Sequence, residues 1–301
     1  MHSHSHTHVS GTGKHSRALW ITFGLTFFYF IIEVVFGILT NSLALLADAA
    51  HMLTDVGGIG LALFATWLSQ KPPTPGKTYG YYRVEILAAL TNAVVLFVMS
   101  FYILAEAYRR FQNPPEVQSV PMIVVAIIGL IINLIGVWNL RRGSKESLNV
   151  HGAFLEVVSD ALGSVGVIIA GVIMMTTGWY YADPIFSALI GLYILPRTWK
   201  LLKQAVDILL EGTPAHIDVE AVRRMMLKME DVVDVHDFHV WTITSGLVAL
   251  TAHIVLADGC ESPISTRVLE QITTRLREEY HIEHTTLQIE HINRSTKEMH
   301  V

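Results

Sequence analysis

Residues 43–67 read LALLADAAHMLTDVGGIGLALFATW, and this stretch decides the fold. A bilayer core of roughly 30 Å takes ~20 residues of apolar helix to cross, and here only Asp48, His51 and Asp55 interrupt the apolar run. Ionisable side chains inside a span are costly, which makes them a functional-site hypothesis by default.

Working outward, five more segments have the same character. Ala18–Leu39 carries Glu33 as its one charge, and Ile86–Ala105 and Val120–Leu140 are predicted spans with little polarity. His151–Thr176 is interrupted by Glu156 and Asp160, and Pro184–Leu202 ends among Pro196, Arg197 and Lys200. Six spans place both termini on one side of the membrane. The segments on the N-terminal side then hold eleven basic residues: Lys14, Arg17, Lys71, Lys77, Arg83, Arg141, Arg142, Lys145, Arg197, Lys200 and Lys203. The opposite side holds Arg109 and Arg110. By the positive-inside rule both ends are cytoplasmic. The head Met1–Arg17 has no apolar core and does not read as a cleaved signal peptide.

Composition agrees. The chain of 301 residues is 16% charged, against ~25% in ordinary soluble domains, and its mean hydropathy is +0.44. Disorder and an all-soluble fold are excluded. A net charge of −5 excludes a nucleic-acid partner, which calls for a basic face. The single Cys260 excludes a disulfide framework and multi-cysteine zinc modules, while 15 histidines point toward metal.

After residue 210 the chain changes. The segment 211–301 holds 15 acidic and 8 basic residues, a net of −7, whereas the first 210 hold 11 and 13. The expected organisation is a His-rich head over 1–17, a six-helix membrane domain over 18–210 and a cytoplasmic domain over 211–301. In the tail the pattern is helix (about 217–229), strand (232–242), a Ser245-Gly246 turn, strand (247–256), helix (263–280) and strand (285–292). This αββαβ order predicts a small ferredoxin-like α+β sandwich.

The chemistry concentrates in two spans. His51 and Asp55 in the second, and Glu156 and Asp160 in the fifth, are each spaced i, i+4, so each pair lies on one helix face. Facing each other, the two helices offer one nitrogen and three oxygens, a tetrahedral shell for Zn²⁺ with Co²⁺ and Cd²⁺ as near fits. The alternative, that these groups pair with basic residues to hold the spans together, finds no Lys or Arg mid-span by this reading. Asp48 is a candidate outer partner that orients His51. Glu33, Glu85, Asn92 and Asn133 read as polar contacts between helices.

Four stretches carry a resemblance that runs from about Arg17 to Glu290. Asn41–Asp55, Tyr79–Glu85, Leu209–Pro214 and His236-Asp237-Phe238-His239-Val240-Trp241 resemble the cation diffusion facilitator family. The resemblance implies a homodimeric antiporter of the bacterial plasma membrane that exports Zn²⁺, with Co²⁺ or Cd²⁺, in exchange for protons. It places the transport site on His51, Asp55, Glu156 and Asp160. The common zinc pattern has His first in the fifth span where this chain has Glu156, which resembles the zinc, cobalt and cadmium branch.

The remaining histidines divide between the head and the tail. His2, His4, His6 and His8 form a polar head suited to collecting metal. In the tail, a two-residue turn pairs Thr244 with Leu247 and sets Phe238 opposite His253; His236 and His253 then share a face and His239 points to the other. The resemblance supports His236 and His253 as metal ligands of the tail, with His284 and Glu290. The rival functions are a metal-gated channel or sensor, and a membrane metalloenzyme. The chain does not read as an enzyme, since no H-E-x-x-H motif occurs, and no nucleotide-binding G-x-x-x-x-G-K-[ST] loop occurs either.

Overall fold

The computed structural model describes residues 13–141, 148–244, 246–257 and 262–291. Six long helices come first: α1 (Gly13–Leu39), α2 (Leu43–Ser69), α3 (Arg83–Gln112), α4 (Ser119–Leu140), α5 (Leu148–Thr177) and α6 (Ala182–Leu209). Among the described residues, α3 to α6 each hold an apolar stretch long enough to cross a membrane, and α1 adds the shorter Phe23–Leu39. Phe28, Ile38, Tyr102, Trp138 and Leu162 lie exposed on these helices. So much apolar surface facing outward is a lipid-facing pattern, not a soluble one.

The helices outrun the spans expected from hydropathy. The sixth was expected to end near Leu202 and continues to Leu209, with Pro196 inside it. Arg109 and Arg110 lie in the last turn of α3, where a cation suits the helix C-terminus, and not in a loop. The chain divides into two compact units. One is built from Met1–Leu61 and Thr91–Lys200, the other from Ala62–Leu90 and Leu201–Val301, so the second takes in the ends of α2, α3 and α6 along with the tail.

In the first unit, glycines let helices approach closely, as is usual where lipid removes the hydrophobic drive to associate. Tyr29 of α1 fills the space a side chain at Gly129 of α4 would need. A Cβ at Gly163 of α5 would lie 2.6 Å from Asp48 Oδ1. The N-terminus of α2 is closed from outside its own helix. Asp183 of α6, fully buried, accepts hydrogen bonds from Ser42 Oγ (2.8 Å), Leu43 N (2.9 Å) and Ala44 N (3.1 Å). Arg110 lies 3.7 Å from the same carboxylate and donates to Asn41 O at 2.7 Å. A carboxylate suits those orphan amides and the positive end of the helix.

The second unit holds α7 (Val219–Leu227), β1 (Val232–Thr244), β2 (Leu247–Leu256), α8 (Ser262–Tyr280) and β3 (His284–Glu290). The sheet order is β1-β2-β3, with β1 and β2 antiparallel and β2 and β3 parallel. The αββαβ order is the expected one. Val268, Ile272 and Leu276 recur every four residues on α8 and are buried with Leu250 and Ile254 of β2.

The strand register differs from expectation. Thr244 pairs with Leu247, but His236, not Phe238, stands opposite His253. Bulges between Thr242 and Thr244 and between His236 and His239 add one residue each to β1, which accounts for the shift of two. At the second bulge Asp237 adopts a left-handed conformation (φ 47°). Because His239 pairs with Thr251, it joins His236 and His253 on the sheet face away from the core, against the parity expected of an unbroken strand.

The Asp183 cap yields a prediction. Asp183→Ala leaves three donors and the Arg110 charge without their shared acceptor and should cost about 3 kcal/mol. The midpoint for heat-induced loss of the folded elution peak in detergent should fall by several degrees; an unchanged midpoint excludes this role.

Candidate metal centres

The first centre lies between α2 and α5. His51 Nε2 stands 3.5 Å from Glu156 Oε1 and 3.7 Å from Asp160 Oδ1. Tetrahedral zinc with arms of roughly 2.0–2.1 Å holds its donor atoms roughly 3.3–3.5 Å apart, so each carboxylate oxygen is nearly at coordination spacing from the imidazole nitrogen. His51 and Asp160 are both buried. Asp55 follows one turn after His51 on α2, but its side chain lies outside the described residues.

The cation that the sequence reading did not find mid-span is Arg197. It was expected near the end of the sixth span; α6 runs twelve residues past it, to Leu209, and brings it level with α5. Arg197 Nη1 donates to Glu156 Oε1 at 2.8 Å and Nη2 to Oε2 at 2.6 Å, a two-point fork. Tyr193, one turn earlier on α6, reaches Ser159 Oγ at 3.4 Å. The i, i+4 spacing of Tyr193 and Arg197 was the available signal for a helix face turned to α5.

Asp48 is buried and, with His51, Gly163, Phe186 and Tyr193, lines a cleft of about 330 Å³. Glu33 is fully buried and accepts from Tyr29 Oη at 3.0 Å within its own helix. Asn133 Nδ2 lies 3.5 Å from Ser164 Oγ, across from α4 to α5, as a polar contact between helices would. Glu85 is different: its partner is Thr244 of β1, at 2.5 Å.

The second centre sits on the sheet. His236 Nε2 lies 3.2 Å from Glu290 Oε2, and His253 Nδ1 lies 3.5 Å from Glu290 Oε1. One donor atom from each of the three falls within 4.8 Å of the others. The register explains the convergence, since His236 faces His253 on β2, and Glu290 lies beside Val255, two residues on. Asp237 extends the row, with Oδ1 3.0 Å from His239 Nε2 and Oδ2 3.7 Å from His253 Nε2.

Both carboxylates feel the imidazoles. The His239 hydrogen bond, reinforced by the charges of His253 and His236, holds Asp237 below the usual carboxylate range. Burial pushes Glu290 up, but hydrogen bonds from Gln288 and His236 and the two imidazole charges together bring it below its ordinary value. His284 is not brought to this cluster. It opens β3, six residues or roughly 20 Å of strand from Glu290, and its ring stacks edge-on against Tyr79 at 5.6 Å. His2, His4, His6 and His8 lie outside the described residues.

Comparison with known proteins places the chain in a family. The model described as "Cation efflux transmembrane domain" matches residues 19–210, and that described as "Cation efflux protein, cytoplasmic domain" matches residues 214–292. The chain is 47% identical to the metal cation efflux system protein CzcD of Cupriavidus metallidurans, over 95% of this chain and 89% of that one. It is 43% identical to the zinc transporter ZitB of Escherichia coli, over 96% of this chain and 93% of that one. It is 42% identical to the cadmium, cobalt and zinc/H(+)-K(+) antiporter of Bacillus subtilis, over 95% and 91%. With a multi-pass helical domain, a C-terminal α+β domain and these matches along nearly its whole length, the chain belongs to the cation efflux family, the cation diffusion facilitators of the zinc, cobalt and cadmium branch.

Proposed function

We propose that this protein exports Zn²⁺ from the cytoplasm in exchange for protons, with Co²⁺ or Cd²⁺ as further cargo, and that the cargo binds at His51, Asp55, Glu156 and Asp160. The observation that carries this reading is that a carboxylate oxygen of Glu156 and one of Asp160, both on α5, each stand at near-coordination spacing from the His51 imidazole of α2 inside the membrane domain. The Bacillus subtilis relative, a cadmium, cobalt and zinc/H(+)-K(+) antiporter, supports both the metal range and the proton coupling.

The coupling follows from the ligands. A metal ion needs the imidazole neutral and the carboxylates ionised, so metal and protons compete for the same atoms. A site open to the near-neutral cytoplasm loads metal; the same site open to a more acidic exterior takes protons and releases it. The clustering of basic residues on the N-terminal side of the spans supports cytoplasmic termini. The cytoplasmic-domain match supports a homodimer in which His236, His253 and Glu290 bind regulatory metal. A channel would dissipate a metal gradient, whereas carboxylates that exchange cargo for protons can build one.

Two measurements test this. In proteoliposomes with an imposed pH gradient, the protein should take up Zn²⁺, Co²⁺ and Cd²⁺ with proton counterflow, and an uncoupler should abolish accumulation. His51→Ala and Asp160→Ala should each lower uptake by at least tenfold; normal uptake in both removes the site assignment. In the tail, folding favours ionised Glu290, because its folded value lies below its unfolded one. That stabilisation is complete above the unfolded carboxylate value of about 4.3 and fades as pH falls through the folded value. With chelator present, the melting point should fall more from about pH 6 to about pH 3 in the wild type than in Glu290→Gln; equal losses would falsify the pairing.

A further inference from the structure

Glu156 has two claimants. Both of its oxygens are taken by the Arg197 fork, at 2.8 and 2.6 Å. Oε1, the atom that accepts from Nη1, is also the atom 3.5 Å from His51 Nε2. A carboxylate held side-on by a guanidinium has given it one lone pair on each oxygen, and the fixed positive charge opposes a second cation at the same group. Metal cargo and Arg197 therefore compete for one donor group.

The electrostatics give this competition a purpose. Glu156 and Asp160 set two carboxyl groups beside one imidazole in a membrane domain, where an uncompensated charge is costly. Bound metal compensates them when cargo is present; without cargo another cation must do so. Arg197 is placed for that task and keeps a route out, because its side chain is 49% exposed whereas that of Glu156 is 23% exposed. A long cationic side chain can withdraw along its stem and still reach polar surroundings.

Building on the transport-site reading above, we propose that Arg197 is an internal counter-cation that holds Glu156 in the metal-free carrier, yields it when metal loads, and retakes it as metal leaves. Arg197 is then a positioning residue that sets metal affinity. By competing with the cargo it keeps binding weak enough for release, and by neutralising Glu156 it lets the empty site return.

The test is Zn²⁺ transport by the full-length protein in proteoliposomes at fixed pH gradient, comparing Arg197→Gln, Arg197→Lys and Glu156→His. Removing the competitor should tighten the site and slow release. Arg197→Gln should lower KM about tenfold, the equivalent of one close charge pair at the weak end of measured couplings, and lower the maximal rate. Arg197→Lys keeps the charge without the fork and should give an intermediate KM. It also carries the test if the Gln variant does not fold. In the Glu156→His background, which keeps a ligand but offers the guanidinium no carboxylate, Arg197→Gln should no longer lower KM. A KM that is unchanged or raised in the Arg197 variants overturns the proposal, as does a lowered KM that persists beside His at position 156. A merely structural ion pair would lower the maximal rate without lowering KM. Normal transport by His51→Ala and Asp160→Ala would instead overturn the transport-site reading, an outcome distinct from any of these.

Discussion

Charge taken out of water must be met by a partner, and the membrane domain is arranged around that requirement. A carboxylate within a bilayer costs several kcal/mol unless a cation, a hydrogen-bond donor or a proton compensates it. Four acids of the spans meet the demand differently. Asp183 takes the free amides of α2 and the nearby Arg110. Glu33 takes the Tyr29 hydroxyl. Glu156 takes the Arg197 fork. Asp160 faces the His51 imidazole. The Asp183 arrangement ties α6 to α2 and that of Glu33 stays within α1, while the last two meet at the His51 imidazole.

The C-terminal domain solves a milder version of the same problem. Its three-stranded sheet buries Val248, Leu250, Ala252, Ile254 and Leu256 against helices on one face and turns the histidines to the other. Glu290 beside two imidazoles has its ionised form stabilised by their hydrogen bond and charge. The bulge at Asp237 places a second carboxylate and His239 beside the first group, which a regular strand would have divided between two faces.

Much of this was legible from residue order. Hydropathy identifies the spans because a lipid environment demands long apolar helices whatever their neighbours do. Helical periodicity puts His51 with Asp55, and Glu156 with Asp160, each pair on one face, and the Ser245-Gly246 turn correctly sets Thr244 against Leu247. The resemblance of four separated motifs pointed to a family that comparison over nearly the full chain bears out. Less legible were the contacts that cross between elements. Arg197 looked like a boundary residue because composition alone places the end of a helix where polarity begins, and α6 continues past it. Asp183 drew no notice, since its partners lie about 140 positions away in the chain.

The sequence by itself determined a multi-pass protein with an acidic αββαβ tail and two polar helix faces, His51 with Asp55 and Glu156 with Asp160, because these features depend on local period and on apolar length. Tertiary structure alone decided which groups meet. It brought Glu290 to His236 and His253 and left His284 against Tyr79, because two bulges reset the register of β1 and strand length separates the ends of β3. It also gave Glu156 to Arg197, because pairing between helices follows from their length and rotation, and neither is encoded in the spacing of residues along one helix.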